Sequence, residues 1–339
     1  MSSRTKTIFS AILLALGGCN SAYTPTAPAA AGLDGCFAGG GALVELGAVN
    51  NDDQADHGAL RTFGISPGGI VAAAGADGTL KFWTMDATLV GTTSATVLTY
   101  GPEVNGTPIT DLAFDGERAI AGDVSGIVNA LSSDAPSTIM GGTIPNVPIA
   151  SVAFAHGVLA HAQHGEGATP LVVHALDGSL DANVEETLSA ITDLAYTTDG
   201  TLVVGGQDAT SHAALEIRGV DPAIVTARAM LGSDASVVEV AAAREGSVVV
   251  AITERGLYAA DGTWLASSDV DLRSVDLSPS GDLAYVLDAN GRVSVRRTSD
   301  GRELASTSIP SGLGVRVDAT DQRIVVGASD AMLHVLTCR

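Results

Sequence analysis

From about residue 60 onward the chain is built of apolar runs four to seven residues long, separated by short turns rich in Gly, Asp and Asn. A first set of runs reads RTFGIS (61–66), TDLAFD (110–115), ASVAFA (150–155), TDLAYT (192–197), VEVAAA (238–243), SVDLSP (274–279) and GVRVDA (314–319). A second set follows them after a turn: GIVAAAG (69–75), TLVVGG (201–206), SVVVAI (247–252), DLAYVL (282–287) and RIVVGA (323–328). A third includes TLKFW (79–83), LVVHAL (171–176), RVSVRR (292–297) and MLHVL (332–336). Runs this short, rich in Val, Ile, Leu and Ala and closed by signals such as Ala76-Asp77-Gly78, Asp199-Gly200 and Ala289-Asn290-Gly291, predict strands. No stretch carries an apolar stripe of helical period, so the expected class is all-β.

The runs repeat as a unit. Taking Phe63, Leu112, Val152, Leu194, Val240, Val275 and Val315 as equivalent gives spacings of 49, 40, 42, 46, 35 and 40 residues. Their mean is 42, inside the interval of about 40–45 expected of four-stranded propeller blades. The prediction is a β-propeller of seven four-stranded blades, an architecture that leaves only short, protected strand edges. The last unit, Gly314 to Thr337, supplies three strands only. Ala42-Leu43-Val44-Glu45-Leu46 is the candidate for the missing outer strand, so the N-terminal segment is expected to close the ring against the last blade.

That closure gives two of the three cysteines a role. The end of a strand lies beside the start of its antiparallel neighbour. Cys338 ends the third strand and Cys36 precedes the donated fourth, so a disulfide there would stand in for the absent hairpin turn. It would close a loop of 303 residues, for which chain entropy gives on the order of 5 kcal/mol. Two free thiols are the alternative.

His57 through Trp83, with Ser66-Pro67-Gly68-Gly69 and Gly75-Ala76-Asp77-Gly78-Thr79-Leu80-Lys81-Phe82-Trp83, resembles a WD40 repeat. Val275-Asp276-Leu277-Ser278-Pro279-Ser280-Gly281 resembles the opening of another. Other units lack both the closing Trp and the leading His, so only Asp77 and Trp83 match the hydrogen-bond signature of that family. Gly256-Leu257-Tyr258-Ala259-Ala260-Asp261-Gly262-Thr263-Trp264 is similar to quinoprotein-like propeller repeats, including those of lipoproteins in outer-membrane assembly. A divergent WD40-like propeller is what the resemblance implies.

The N-terminus carries a different message. Arg4 and Lys6 precede the apolar stretch Ile8–Leu16, and Gly17-Gly18-Cys19 follows. Basic residues, a short apolar core and small residues make a secretory signal, with a core too short to span a bilayer. Leu16-Gly17-Gly18-Cys19 resembles the lipobox of bacterial lipoproteins, which implies lipidation of Cys19 and removal of residues 1–18. An ordinary signal peptide or an uncleaved anchor is the competing reading. Residues 19–33 would form a Pro/Ala-rich tether, which at about 3.1 Å per residue reaches up to roughly 40 Å. Residues 34–339 would form the propeller. The resemblance places the protein in a bacterial cell envelope, and Asn20 after the cysteine favours the outer membrane if the cell is Gram-negative.

Charge narrows the partners. Removing residues 1–18 leaves 15 basic against 38 acidic side chains, about −23. Nucleic-acid phosphates need basic patches, and anionic lipid attracts basic segments. Neither is an expected partner, and membrane contact would rest on the lipid anchor.

Chemistry-bearing motifs are few. The chain has no G-x-S-x-G, no phosphate-binding G-x-x-x-x-G-K-[ST], no H-E-x-x-H and no C-x-x-C. His156, His161, His164 and His174 cluster in sequence, but His156 and His164 sit at opposite ends of one strand, so all four cannot hold one ion; a loosely bound transition metal on a pair of them is the alternative to ordinary strand and loop histidines. Asn50-Asn51-Asp52-Asp53-Gln54-Ala55-Asp56 lacks the spacing and glycine of a calcium loop and reads as a solvated connector. Trp83 and Trp264 are expected to pack within blades. No catalytic residue, cofactor or metal ligand is assigned. The expected function is a protein-binding or scaffold module whose long connections, 86–109 and 132–149, meet an unidentified protein partner. The alternative is a propeller hydrolase or oxidoreductase with channel acids holding calcium.

Overall fold

The computed structural model describes residues 32–339 apart from 51–58, 77, 79, 85–95, 99–107, 132–137, 142–146, 165–170, 177–180, 185–187, 220, 233–235 and 319–322. The described residues form seven four-stranded antiparallel sheets and one short helix. The inner strands are Leu60–Ile65, Ile109–Asp115, Ile149–Ala155, Ala190–Tyr196, Val237–Ala242, Leu272–Leu277 and Gly312–Val317. Each contacts the next and the seventh contacts the first, so the blades close into a ring. The repeat count, the equivalent positions and the all-β class are as the sequence predicted.

The apolar runs lack clean alternation because both faces of each blade are covered. Seven hydrophobic clusters fill the core, and each bridges one pair of neighbouring blades. Ala72, Ala74 and Phe82 of blade 1, for example, pack on Ile109, Ala119 and Leu131 of blade 2. The second strands are rich in Ala and Gly because the next blade's inner strand lies directly against them. At the ring's closure, a side chain on Gly327 of blade 7 would run into Leu60 and Phe63 of blade 1.

Blade 7 is made from both ends of the chain. Its sheet order is Leu43–Asn50, Met332–Cys338, Ile324–Ala328, Gly312–Val317. The N-terminal strand is therefore its outer strand, running four residues beyond the end of the expected segment, with Leu43 opposite Cys338 and an irregularity between Glu45 and Gly47. Cys36 and Cys338 form the disulfide, closing a sequence separation of 302. Cys36 lies in a helix, Leu33–Ala38, whose Leu33 and Phe37 are buried on Leu283, Tyr285 and Ile324. The Ser280 hydroxyl of blade 6 donates to Asp34 in the same helix. The clasp thus binds blade 6 as well as blade 7. Gly41 is required beside it, since any side chain there would collide with both sulfurs.

Candidate functional site

Alignment of the repeats shows what faces the ring's axis. The residues just before the equivalent positions are Thr62, Asp111, Ser151, Asp193, Glu239, Ser274 and Gly314. From Asp111 to Ser274 each side chain reaches the next blade and accepts a hydrogen bond from a backbone amide on its inner strand. Val152 N–H donates to Asp111 Oδ2 at 2.8 Å, and Leu194 N–H to Ser151 Oγ at 3.1 Å. Val240 N–H donates to Asp193 Oδ2 at 2.7 Å, Val275 N–H to Glu239 Oε2 at 2.7 Å, and Val315 N–H to Ser274 Oγ at 3.1 Å. Five consecutive blade junctions are laced in one direction around the channel. Asp276 adds a second bond at the last of these, accepting from Val317 N–H at 2.7 Å.

The lacing fixes a proton. Ser151 Oγ lies 2.8 Å from Asp111 Oδ2 and 2.9 Å from Asp193 Oδ1, yet a hydroxyl donates only once. Both contacts are hydrogen bonds if Ser151 donates to one carboxyl and the other, protonated, donates to Ser151. Ser151 then accepts from that carboxyl and from Leu194, using its full capacity. Electrostatics selects Asp193 as the protonated partner. Burial pushes its carboxyl well above the ordinary range, and Glu239 and Asp111 push the same way. Burial also raises Asp111 and Glu239, against opposing hydrogen bonds and, for Glu239, the facing guanidinium of Arg316. Arg316 Nη2 meets Glu239 Oε1 at 2.8 Å. Burial disfavours the Arg316 charge, but the carboxylates around it, Glu239 first and then Asp276 and Asp111, outweigh it and raise its pKa.

Asp111, Asp193, Glu239 and Arg316 form a waist shared by two chambers. One, of about 170 Å³, is bounded by the first halves of the inner strands, with Arg61, Thr62, Thr110, Arg273 and Ser274 in its wall. The other, of about 240 Å³, is bounded by the second halves, with Phe154, Tyr196 and Arg244. Arg244 crosses from blade 5 to donate to the carbonyls of Ile65 and Val317, in blades 1 and 7, at 3.3 Å each.

The histidines do not converge. His156 occupies the turn after the inner strand of blade 3 at φ 51° and bonds the Thr198 carbonyl. His161 and His174 stack at 5.5 Å between ring centroids, while His164 is exposed. Among the described residues no group of three or more His, Cys, Asp or Glu is arranged to hold a metal ion. Burial, with His174 adding to it, depresses the pKa of the fully buried His161 from 6.5 to about 4. Between these values the unfolded chain binds the proton and the native chain does not, so stability falls as pH falls from 6.5 towards 4. The loss is about 3 kcal/mol at pH 4. The raised channel carboxyls act in the opposite sense, losing their contribution as pH rises through their folded pKa values. Denaturant titrations at pH 7 and pH 4 of wild type and His161→Leu isolate the histidine: the variant should lose about 3 kcal/mol less stability than wild type on acidification.

Trp83 is buried, as expected of blade packing. Trp264 is not. It is 62% exposed, because it opens the outer strand Trp264–Ser267, where one face meets solvent; its ring contacts Tyr258 at 6.0 Å. Cys19, Asp77, residues 51–56 of the acidic connector and most of the long connections 86–109 and 132–149 lie outside the described residues. No helix among the described residues is long and apolar enough to cross a membrane.

Seven four-stranded blades around a laced channel define a seven-bladed β-propeller. Solved structures agree. The chain is similar to the WD40 β-propeller domain of Doa1, with TM-score 0.66 and 17% identity over 87% of this chain and 97% of that one. It is equally similar to a chain of a mitotic checkpoint complex, with TM-score 0.66 and 16% identity over 87% of this chain and 91% of that one. These likenesses establish the fold. No family model matches the sequence, and no curated protein matches it.

Proposed function

We propose that this protein is a lipid-anchored, extracytoplasmic β-propeller acting as a non-enzymatic, protein-binding scaffold. The observation that carries the scaffold reading is the lacing of the inner strands. Acidic groups that a channel enzyme would offer to a substrate or calcium are here bonded to backbone amides of the next blade and to Arg316. A closed, cross-linked ring then presents its loops as fixed surfaces, which is how function is distributed on rigid scaffolds. One solved structure of like fold belongs to a multiprotein assembly, the mitotic checkpoint complex. The connections 86–109 and 132–149 are the proposed contact regions.

The anchoring half rests on Leu16-Gly17-Gly18-Cys19. In a bacterial envelope the lipid on Cys19 would hold the ring to a membrane, the outer one in a Gram-negative cell, and the net charge of the mature chain would keep its surface off anionic headgroups. Cross-linking in native membranes of wild type and Cys19→Ser tests both halves. Wild type should sediment with membranes and cross-link to a specific protein, and Cys19→Ser should appear in the soluble fraction. A Cys19→Ser chain that stays membrane-bound contradicts the anchor; a membrane-bound wild type that cross-links to no protein contradicts the scaffold.

A further inference from the structure

The smaller channel chamber has a chemical polarity that the scaffold role does not use. Three arginines, Arg273, Arg316 and Arg61, line it from the contiguous blades 6, 7 and 1, while the acids come from blades 2, 4 and 5. Arg316 is neutralised by Glu239 at 2.8 Å. The Asp111–Ser151–Asp193 bridge makes both of its short contacts as full hydrogen bonds when one proton is shared between the two carboxyls, and the pair then carries a single negative charge. Two guanidinium charges, Arg61 and Arg273, therefore face one carboxylate. Inside a strongly acidic protein this chamber keeps a local excess of positive charge.

Those two arginines have donors to spare. Arg273 gives one bond, from Nη1 to the Gly312 carbonyl at 3.2 Å. Arg61 is exposed and has no hydrogen-bond partner among the described residues. A guanidinium presents five N–H groups in a rigid fork that matches a carboxylate in bidentate fashion. The chamber's volume of about 170 Å³ compares with a cavity of about 150 Å³ that takes up benzene, so it admits a molecule of a few heavy atoms and no folded partner.

We infer that this chamber binds a small organic carboxylate, held between the forks of Arg61 and Arg273 with the Thr62 hydroxyl beside them. A compact dicarboxylate offers one carboxylate to each fork. The inference goes beyond the scaffold reading and is independent of it, since the ligand lies inside the ring and the proposed partner contacts its loops.

The test is calorimetric titration of the detergent-solubilised full chain with acetate, succinate, choline, and a blocked peptide whose one charge is a glutamate side chain. Succinate is expected to bind in the range of about 0.1–1 mM, tighter than acetate, and choline not at all. Arg61→Gln and Arg273→Gln are each expected to weaken succinate at least about tenfold, the loss of roughly one charge-assisted hydrogen bond. Among the described residues Arg61 has no other hydrogen-bond or ion-pair partner, so Arg61→Gln should keep the wild-type melting temperature and serves as the decisive variant. Absence of succinate binding up to about 50 mM overturns the inference, as does binding unchanged in Arg61→Gln. Binding of the peptide without either free acid also overturns it, and assigns that mouth of the channel to a protein's acidic side chain.

Discussion

Cys338→Ser should lower the stability of the ring by about 5 kcal/mol, the upper end of what a disulfide contributes. The loop that Cys36 and Cys338 close spans nearly the whole propeller, so reducing the bond returns that freedom to the unfolded chain. In a domain of this size the melting temperature should fall by roughly 10 °C. The native ring should nevertheless persist. The strand Leu43–Asn50 keeps its pairing with Met332–Cys338, and Leu33 and Phe37 keep their packing on blade 6. Calorimetric melting with and without reductant reads the effect: wild type should shift down, while Cys338→Ser, already at the lower temperature, should not respond. Identical melting of oxidised and reduced wild type would show that the clasp does not restrict the unfolded chain.

Arg218→Ala should cost about 3–5 kcal/mol, because it strands a charge in the core. Glu216 and Arg218 stand two apart on the third strand of blade 4 and so share a face. Glu216 is fully buried and Arg218 is 1% exposed. Arg218 Nη2 meets Glu216 Oε2 at 2.8 Å, and its Nη1 donates to the Pro222 carbonyl at 3.0 Å. Removing the arginine leaves an ionised carboxylate with nothing to replace water. The double substitution Glu216→Leu with Arg218→Met removes both charges at similar volume, and such replacements are often neutral or stabilising. Urea denaturation of the single and double variants should therefore show a coupling of several kcal/mol. A single variant within about 1 kcal/mol of wild type would mean that water reaches the pair.

Much of this architecture was legible in the chain, for identifiable reasons. Blade count came from the spacing of Phe63, Leu112, Val152, Leu194, Val240, Val275 and Val315, since each inner strand must return to the axis after one blade's length of chain. Closure followed from a last unit one strand short, and it located the Cys36–Cys338 disulfide. The lacing was also present in the sequence, as Asp, Ser, Asp, Glu and Ser one residue before five of those positions. It went unread because one polar residue in an apolar run looks like a solvent-facing position until the runs are stacked. Trp264 is expected inside its blade as the end of an apolar run, whereas the turn at Asp261-Gly262 places it at the start of the outer strand, where its ring is exposed. The channel waist and the reach of Arg244 from blade 5 to blades 1 and 7 depend on which strands meet across the axis, and no local pattern encodes that.

Inner-strand polar groups hold the ring together, and Ser151 is where three of their bonds meet. Hydrogen exchange on Ser151→Ala, read at the backbone amides of Leu194, Val275 and Val315, addresses this most directly. The prediction is loss of protection at Leu194 with a global cost of about 2–3 kcal/mol, since a buried amide and a bridged carboxyl pair lose their partner. Val275 and Val315, bonded to Glu239 and Ser274, should still exchange more slowly than Leu194. Unchanged protection at Leu194 together with unchanged stability would contradict the account.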